Sequence, residues 1–489
     1  GLGRHLPIYE KSVIVTCTQP KQHTSAVNYK KVKTLDVIGI GGNMIRLPLI
    51  IFIFFCISVS AVSYAGEDTG SKVDYVAMLN KLSEQDRDES LNAAPFYRKA
   101  AELYVELPEE IKYQELLQWP TELPNSHLIK VIKQWIQSNS NAVAQLRLGI
   151  QKPYFWNQYK AKTVFEAGME HNLRALRFVI SATLFLGKLK VIEQGMTREV
   201  VENFLVCTRV GSHLTQAFTT IEQTLGLWSV KNSIQTLFLC LMKTDYNRIP
   251  IVSLQSSIHE QFSKIQNQTF SLEAEKLLHL EVVQLLFQGT NDDSKLKAEE
   301  EMFLASRMGG LTYEELQAVR RGKTLQDLAV AHAYCKDFLS MSPWQAKEKG
   351  LNFWDDIYTK TGGNPVVIFC MIKVPTVNVP GVVRVIAHGN ARRDALLATL
   401  SLIKYRQDKG RFPKDLQELL ATDYLSQLPM DPYSNGPLIY KQTGDDFLLY
   451  SLGEDFDDDG GTHSNWGRDE QGGDYVFWPI QTKSDEKDE

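Results

Sequence analysis

LSLIKYRQDKGRFPKDLQELL, residues 400–420, and LIYKQTGDDFLLYS, residues 438–451, lie close together near the end of a 489-residue chain and follow different periods. The first belongs to a long helix expected from about Val382 to Asp408, with Ala391, Leu396, Leu397, Leu400, Ile403 and Tyr405 as its apolar contacts. Gly410 suits the position just past a helix end, and Pro413 cannot continue the helix. The second reads as two extended segments, Leu438 to Gln442 and Asp446 to Ser451, joined through Thr443-Gly444-Asp445 as a hairpin. Tyr475-Val-Phe-Trp478-Pro479 supplies a last strand. Residues 381–480 are therefore expected to form a small α+β module, a long helix on a short antiparallel sheet.

Upstream, from Asn92 to about Val330, the text is helical in period and poor in Pro. Leu173, Leu176, Val179, Ile180, Thr183 and Leu184 recur three and four apart and share one helix face. Gly195 followed by Thr197 reads as a helix stop and an N-cap, Thr312-x-x-Glu315 as a capping box, and Ser271 with Glu273 as a further cap. At the usual helix length of about 11 or 12 residues this stretch holds roughly eight to ten helices. The expected fold is mainly α: a helical domain at 66–343, an irregular bundle or stacked helical hairpins, followed by the α+β module. Between them, 344–380 reads as a linker, with Val366 to Val374 as a possible short strand because it is apolar and β-branched. Residues 481–489 form a charged tail.

Residues 1–43 read as an untranslated or disordered leader, with Met44 as the start. Arg46, the apolar run Leu47 to Val62 and Ser63-Tyr64-Ala65 before Gly66 then form a Sec-type signal peptide at 44–65. This implies an extracytoplasmic, periplasmic or secreted protein, attached to a membrane only if the leader stays uncleaved. Cys207, Cys240, Cys335 and Cys370 would follow it into a disulfide-permissive compartment, either paired in one of three connectivities or buried as small apolar residues. The net charge of −5 is small for this length, so no nucleic-acid surface is implied. No G-x-S-x-G elbow, P-loop or H-E-x-x-H occurs, and His332-x-x-Cys335 falls in apolar helical text that favours a core position.

Acidity is concentrated locally: ten Asp or Glu lie between Asp445 and Asp474, against the single base Arg468. Asp455-x-Asp457-x-Asp459-Gly460 has the alternating acids and turn glycine that suit a hard cation with oxygen ligands, although Trp466 stands where an EF-hand needs its closing Glu. The alternative is a solvated loop ordered by Asx turns. The order of elements is distinctive: helix, Gly410-Arg-Phe412-Pro413, Leu416 to Leu420, Leu428-Pro429-Met-Asp431-Pro432, Asn435-Gly436-Pro437, Tyr450-Ser451-Leu452-Gly453 and an Asp-rich loop. It resembles the soluble head of the type II secretion major pseudopilin over about Ala391 to Gly461. The resemblance implies a bound calcium ion, with the Leu452 carbonyl and the carboxylates of Asp455 and of Asp457 or Asp459 as ligands. The prepilin signature of that family is missing, and the helical body separates leader from head.

The function expected from these readings is an exported, non-enzymatic scaffold or binding protein with a calcium-stabilised head, facing an envelope or secretion-system partner. The alternatives are an exported hydrolase with a cleft among the helices and a membrane-anchored secretion component.

Overall fold

The structure, a computed structural model, describes residues 73–84, 88–111, 126–264, 270–308, 312–374, 378–464 and 472–480. The expected leader, signal peptide and charged tail lie outside the described residues, as does Trp466. The chain is mainly helical, with one small antiparallel sheet near its end.

In chain order the body runs α1 (Tyr75–Glu84), α2 (Ala94–Glu102), α3 (Ser126–Ser138), α4 (Ser140–Gly149), α5 (Val164–Met169), α6 (Leu173–Gln194), α7 (Arg198–Thr215), α8 (Thr220–Met242) and α9 (Ile251–Lys264). It continues with α10 (Glu273–Leu286), α11 (Ala298–Met308), α12 (Tyr313–Gln317) and α13 (Arg321–Leu339). Helices exceed the eight to ten expected over 92–330 because short ones such as α5 and α12 occur.

The written boundaries hold except at α10, where Leu272 and not Ser271 is the N-cap, Ser271 Oγ accepting from the Glu273 amide at 3.3 Å. Gly195 ends α6 at φ 74°, Thr197 accepts from the Val200 amide to open α7, and Thr312 and Glu315 form the reciprocal capping box of α12. α7 and α8 approach closely at Gly211 and Gly226, where a Cβ on Gly226 would lie 2.6 Å from the Gly211 carbonyl oxygen.

The described part of 344–380 carries helices joined by short turns where a linker and strand were expected. α14 (Pro343–Glu348), α15 (Phe353–Lys360) and α16 (Pro365–Lys373) pack there. Val366 to Val374 does not extend, because Asn364 caps the Val366 and Val367 amides and Pro365 is preset for the first helical turn. Val366, Val367, Phe369, Cys370 and Met371 are all buried against α10 to α15, and that tertiary burial overrides the β-branched preference.

The long helix, α17 (Val379–Lys409), starts earlier than expected, with Pro380 in its first turn, and ends at Gly410 in the left-handed conformation. Its first turn joins the cluster around α13 and α16, while Ala391, Leu396, Leu400, Ile403 and Tyr405 are buried in the main core with α6 to α9. After α18 (Leu416–Ala421), β1 (Ile439–Thr443) and β2 (Asp446–Ser451) form the expected hairpin through Gly444, and β3 (Tyr475–Trp478) adds antiparallel to β2. Phe447 stacks on Trp478 at 5.3 Å and 8°, and both belong to the core cluster that holds α7, α8 and α17. Sheet and helical body thus share one apolar interior.

Cys207, Cys240, Cys335 and Cys370 are free and buried. Burial pushes all four thiols up, those of Cys240 and Cys335 to about 12. They are expected to be silent to a thiol reagent in the native protein and to react once it is unfolded in guanidinium; fast native reaction of any of them would contradict the packing.

Candidate metal site in the acidic loop

The loop begins where β2 ends, and Asp431 fixes that point. Its carboxylate, almost wholly buried, accepts from the Tyr433 amide at 3.0 Å, the Ser451 hydroxyl at 2.7 Å and the Leu452 amide at 2.9 Å. Burial nevertheless raises its pKa, with those hydrogen bonds opposing. Glu454 then reaches back to α17, 3.4 Å from His388 and 3.7 Å from Arg384. Phe456 adopts a left-handed backbone at φ 67°, uncommon for a bulky residue, and its ring packs against Tyr433 and Trp344 with Lys347 Nζ 4.0 Å from the centroid. Both contacts pin the loop to the body and leave the neighbouring aspartates on its outer side.

Asp455 accepts from the Asp457 amide at 3.3 Å through Oδ1 and from the Gly473 amide at 2.5 Å through Oδ2. Asp457 accepts from the Asp458 amide at 3.0 Å. Asp458 turns toward the sheet, accepting from the Tyr450 hydroxyl at 2.8 Å and the Gly460 amide at 3.0 Å; these bonds lower its pKa. Asp459 is shifted the other way, raised first by desolvation and then by Asp455, Asp457 and Asp458. The charges of Asp455 and Asp457 thus act on Asp459.

Sequence reasoning missed Asp474. Placed beside the loop by the pairing of β3 with β2, it is fully buried; Oδ2 accepts from the Gly461 amide at 2.7 Å, while Oδ1 has no hydrogen-bond partner. Desolvation pushes its carboxyl up to about 6; the Gly461 amide opposes the shift, the Asp458 charge adds to it, and the Asp459 amide opposes it more than the Asp459 charge adds. Gly453 and Gly473 permit this closeness: a Cβ on Gly453, at φ 79°, would lie 2.5 Å from the Gly473 carbonyl oxygen. The only sequence signal was an acid placed directly between Gly472-Gly473 and an apolar strand.

Among the described residues, no three His, Cys, Asp or Glu side chains form a ready-made metal-ligand cluster. A hard cation takes oxygen ligands from backbone carbonyls as well as carboxylates, and the Asp474 Oδ1 is a buried carboxylate oxygen without a hydrogen bond. Leu452 is held by its amide on Asp431, at the point where the loop leaves the sheet.

Elsewhere, His332 meets His279 at 3.1 Å; burial lowers both imidazoles, that of His332 to about 4, and Cys335 is buried beside them in a core cluster. Phe155, Trp156, Tyr159 and Trp478 are buried. Among the described residues no helix is long and apolar enough to cross a membrane. Comparison with protein-family models, curated proteins and solved structures finds no match.

Proposed function

We propose that this chain is an exported, non-enzymatic scaffold or binding protein whose C-terminal head, similar to that of the type II secretion major pseudopilin, is locked by calcium. The observation that carries the reading is Asp474, a buried carboxylate with an oxygen that has no hydrogen bond, in the field of Asp458 and beside the acidic loop. A calcium ion there takes Asp474 together with Asp455, Asp457, Asp459 and the Leu452 carbonyl as its available oxygens. It relieves the repulsion among them and removes the cost of an unpaired buried charge. The locked loop, anchored through Phe456 and Glu454 to the body, then offers a fixed surface to an envelope or secretion-system protein. The leader supports export, and a mature protein beginning at Gly66 is the corresponding result by mass spectrometry.

Hydrogen exchange of the full chain, in chelator and in millimolar calcium, tests the lock. Amides of 453–461 and 472–478 are expected to slow markedly on adding calcium, while those of α6 to α8 stay as they were. Unchanged exchange in the loop would sink the reading.

A further inference from the structure

A second site lies in the helical body, built from residues distant in sequence from the acidic loop. Between α2 and the start of α6 is a cavity of about 210 Å3. One side is apolar: Tyr97 and Phe155 stack at 5.8 Å and 26°, and Leu173 and Leu176 continue the wall. The lining also holds Arg98 and His171, together with Glu102 and Glu170.

Arg98 is oriented without being neutralised by a direct ion pair. Its Nη1 donates to Asn157 Oδ1 at 2.9 Å, and Asn157 in turn donates to Glu222. Glu222, almost wholly buried, is also held by the hydroxyls of Tyr159 and Thr219, each at 2.6 Å, so its charge is already satisfied by three donors. Among the described residues Arg98 makes no salt bridge, and the bond to Asn157 is its one hydrogen bond. The acids at the rim are engaged: Glu102 pairs with Lys99 at 3.0 Å, and Glu170 accepts the amides of Lys160 and Ala161. His171 Nε2 is buried without a hydrogen-bond partner. Burial keeps that imidazole neutral and Arg98 reinforces the effect, while Glu222 and Glu170 oppose it. The N-terminus of the 22-residue α6 borders the same space through Asn172 and Leu173, adding its partial positive charge.

We propose that this cavity binds a small organic carboxylate, the acid group meeting the Arg98 guanidinium and His171 Nε2 and the apolar part lying against Tyr97, Phe155 and Leu176. This deepens the reading of the helical body as a binding body and does not depend on calcium. The lining sets the Arg98 guanidinium and the buried His171 Nε2 beside hydrocarbon and aromatic surface, and its two carboxylates, Glu102 and Glu170, are each already held by other groups. That combination is the usual construction of a small-molecule pocket, in which a few polar groups orient a mostly apolar ligand.

The test is calorimetric titration of phenylacetate, and separately of 2-phenylethylamine, into the full chain in chelator at pH 7. Working in chelator means that failure of the metal site leaves this result unaffected. Phenylacetate is expected to bind saturably, at least about tenfold tighter than the amine, with proton uptake as His171 gains an anionic neighbour. Arg98→Gln, which can keep a hydrogen bond to Asn157, is expected to weaken phenylacetate by about tenfold or more, and His171→Phe by a smaller factor. If Arg98→Gln melts below wild type, Arg98→Lys serves as the second variant and retains part of the affinity. No saturable binding of phenylacetate, equal binding of the amine, or undiminished affinity in Arg98→Gln each overturns the proposal.

Discussion

Asp474→Asn is expected to raise the melting temperature of the chelator-treated protein at pH 8 and to abolish any further rise on adding calcium. The physical reason is the sign of the Asp474 shift. Its folded pKa of about 6 lies above the ordinary aspartate value of 3.8, so at pH 8 folding confines a charge that the unfolded chain keeps in water. In metal-free wild type this cost is fully present above pH 6. It is relieved as pH falls from about 6 toward 3.8, because the folded protein then holds a proton that the unfolded chain has released. Metal-free wild type should accordingly gain stability from Asp474 on mild acidification, a gain absent from Asp474→Asn, whose side chain does not titrate. With calcium bound the carboxylate is needed as an anion, so acidification weakens the metal and the stabilisation it provides. At a free ion concentration of 100 times Kd that stabilisation amounts to about 2.7 kcal/mol. Thermal melts of both proteins at pH 8 and pH 5, with and without calcium, check these outcomes.

Gly226→Val is expected to be the most damaging single substitution in the helical body. A Cβ at Gly226 would stand 2.6 Å from the Gly211 carbonyl oxygen and 2.6 Å from the Thr215 amide nitrogen, both backbone atoms that no rotamer change can move. The reciprocal Cβ on Gly211 would meet the Gly226 carbonyl oxygen at 2.8 Å. α7 and α8 must therefore separate, and their buried side chains lie in the same interior as α17 and the sheet. Overpacking of this kind costs roughly 1–3 kcal/mol and more when backbone has to shift, so a loss of about 3 kcal/mol or greater is expected by urea unfolding. Gly436→Ala is the control: its Cβ would meet only the Ser434 hydroxyl at 3.7 Å, and the midpoint should hardly move.

What was legible in the sequence is what local physics decides. The apolar spacing of α17, the Gly410 stop, the Thr197 and Thr312 caps and the Gly444 hairpin depend on neighbours a few residues away, and the structure keeps each of them. Val366 to Val374 misled because its β-branched residues prefer a strand in isolation; the Asn364 cap followed by Pro365 was a local helix signal, and the burial on several sides is decided by distant helices. The loop aspartates stood out because they are consecutive in the text. Asp474 and Asp431 did not, since each reaches the loop only through tertiary pairing: Asp474 through β3, and Asp431 through a turn that folds back onto Ser451 and Leu452. The Arg98 and His171 cavity was invisible for the same reason, its two polar groups being brought together by the docking of α2 on α6.

The most direct measurement is calorimetric titration of calcium into the chelator-treated full chain, alongside Asp474→Asn and an Asp455→Asn, Asp457→Asn double variant. The account predicts saturable binding to wild type and none to either variant, with both variants still folded in chelator. Absence of heat in wild type, or equal binding by the Asp474→Asn protein, would contradict a metal-locked head.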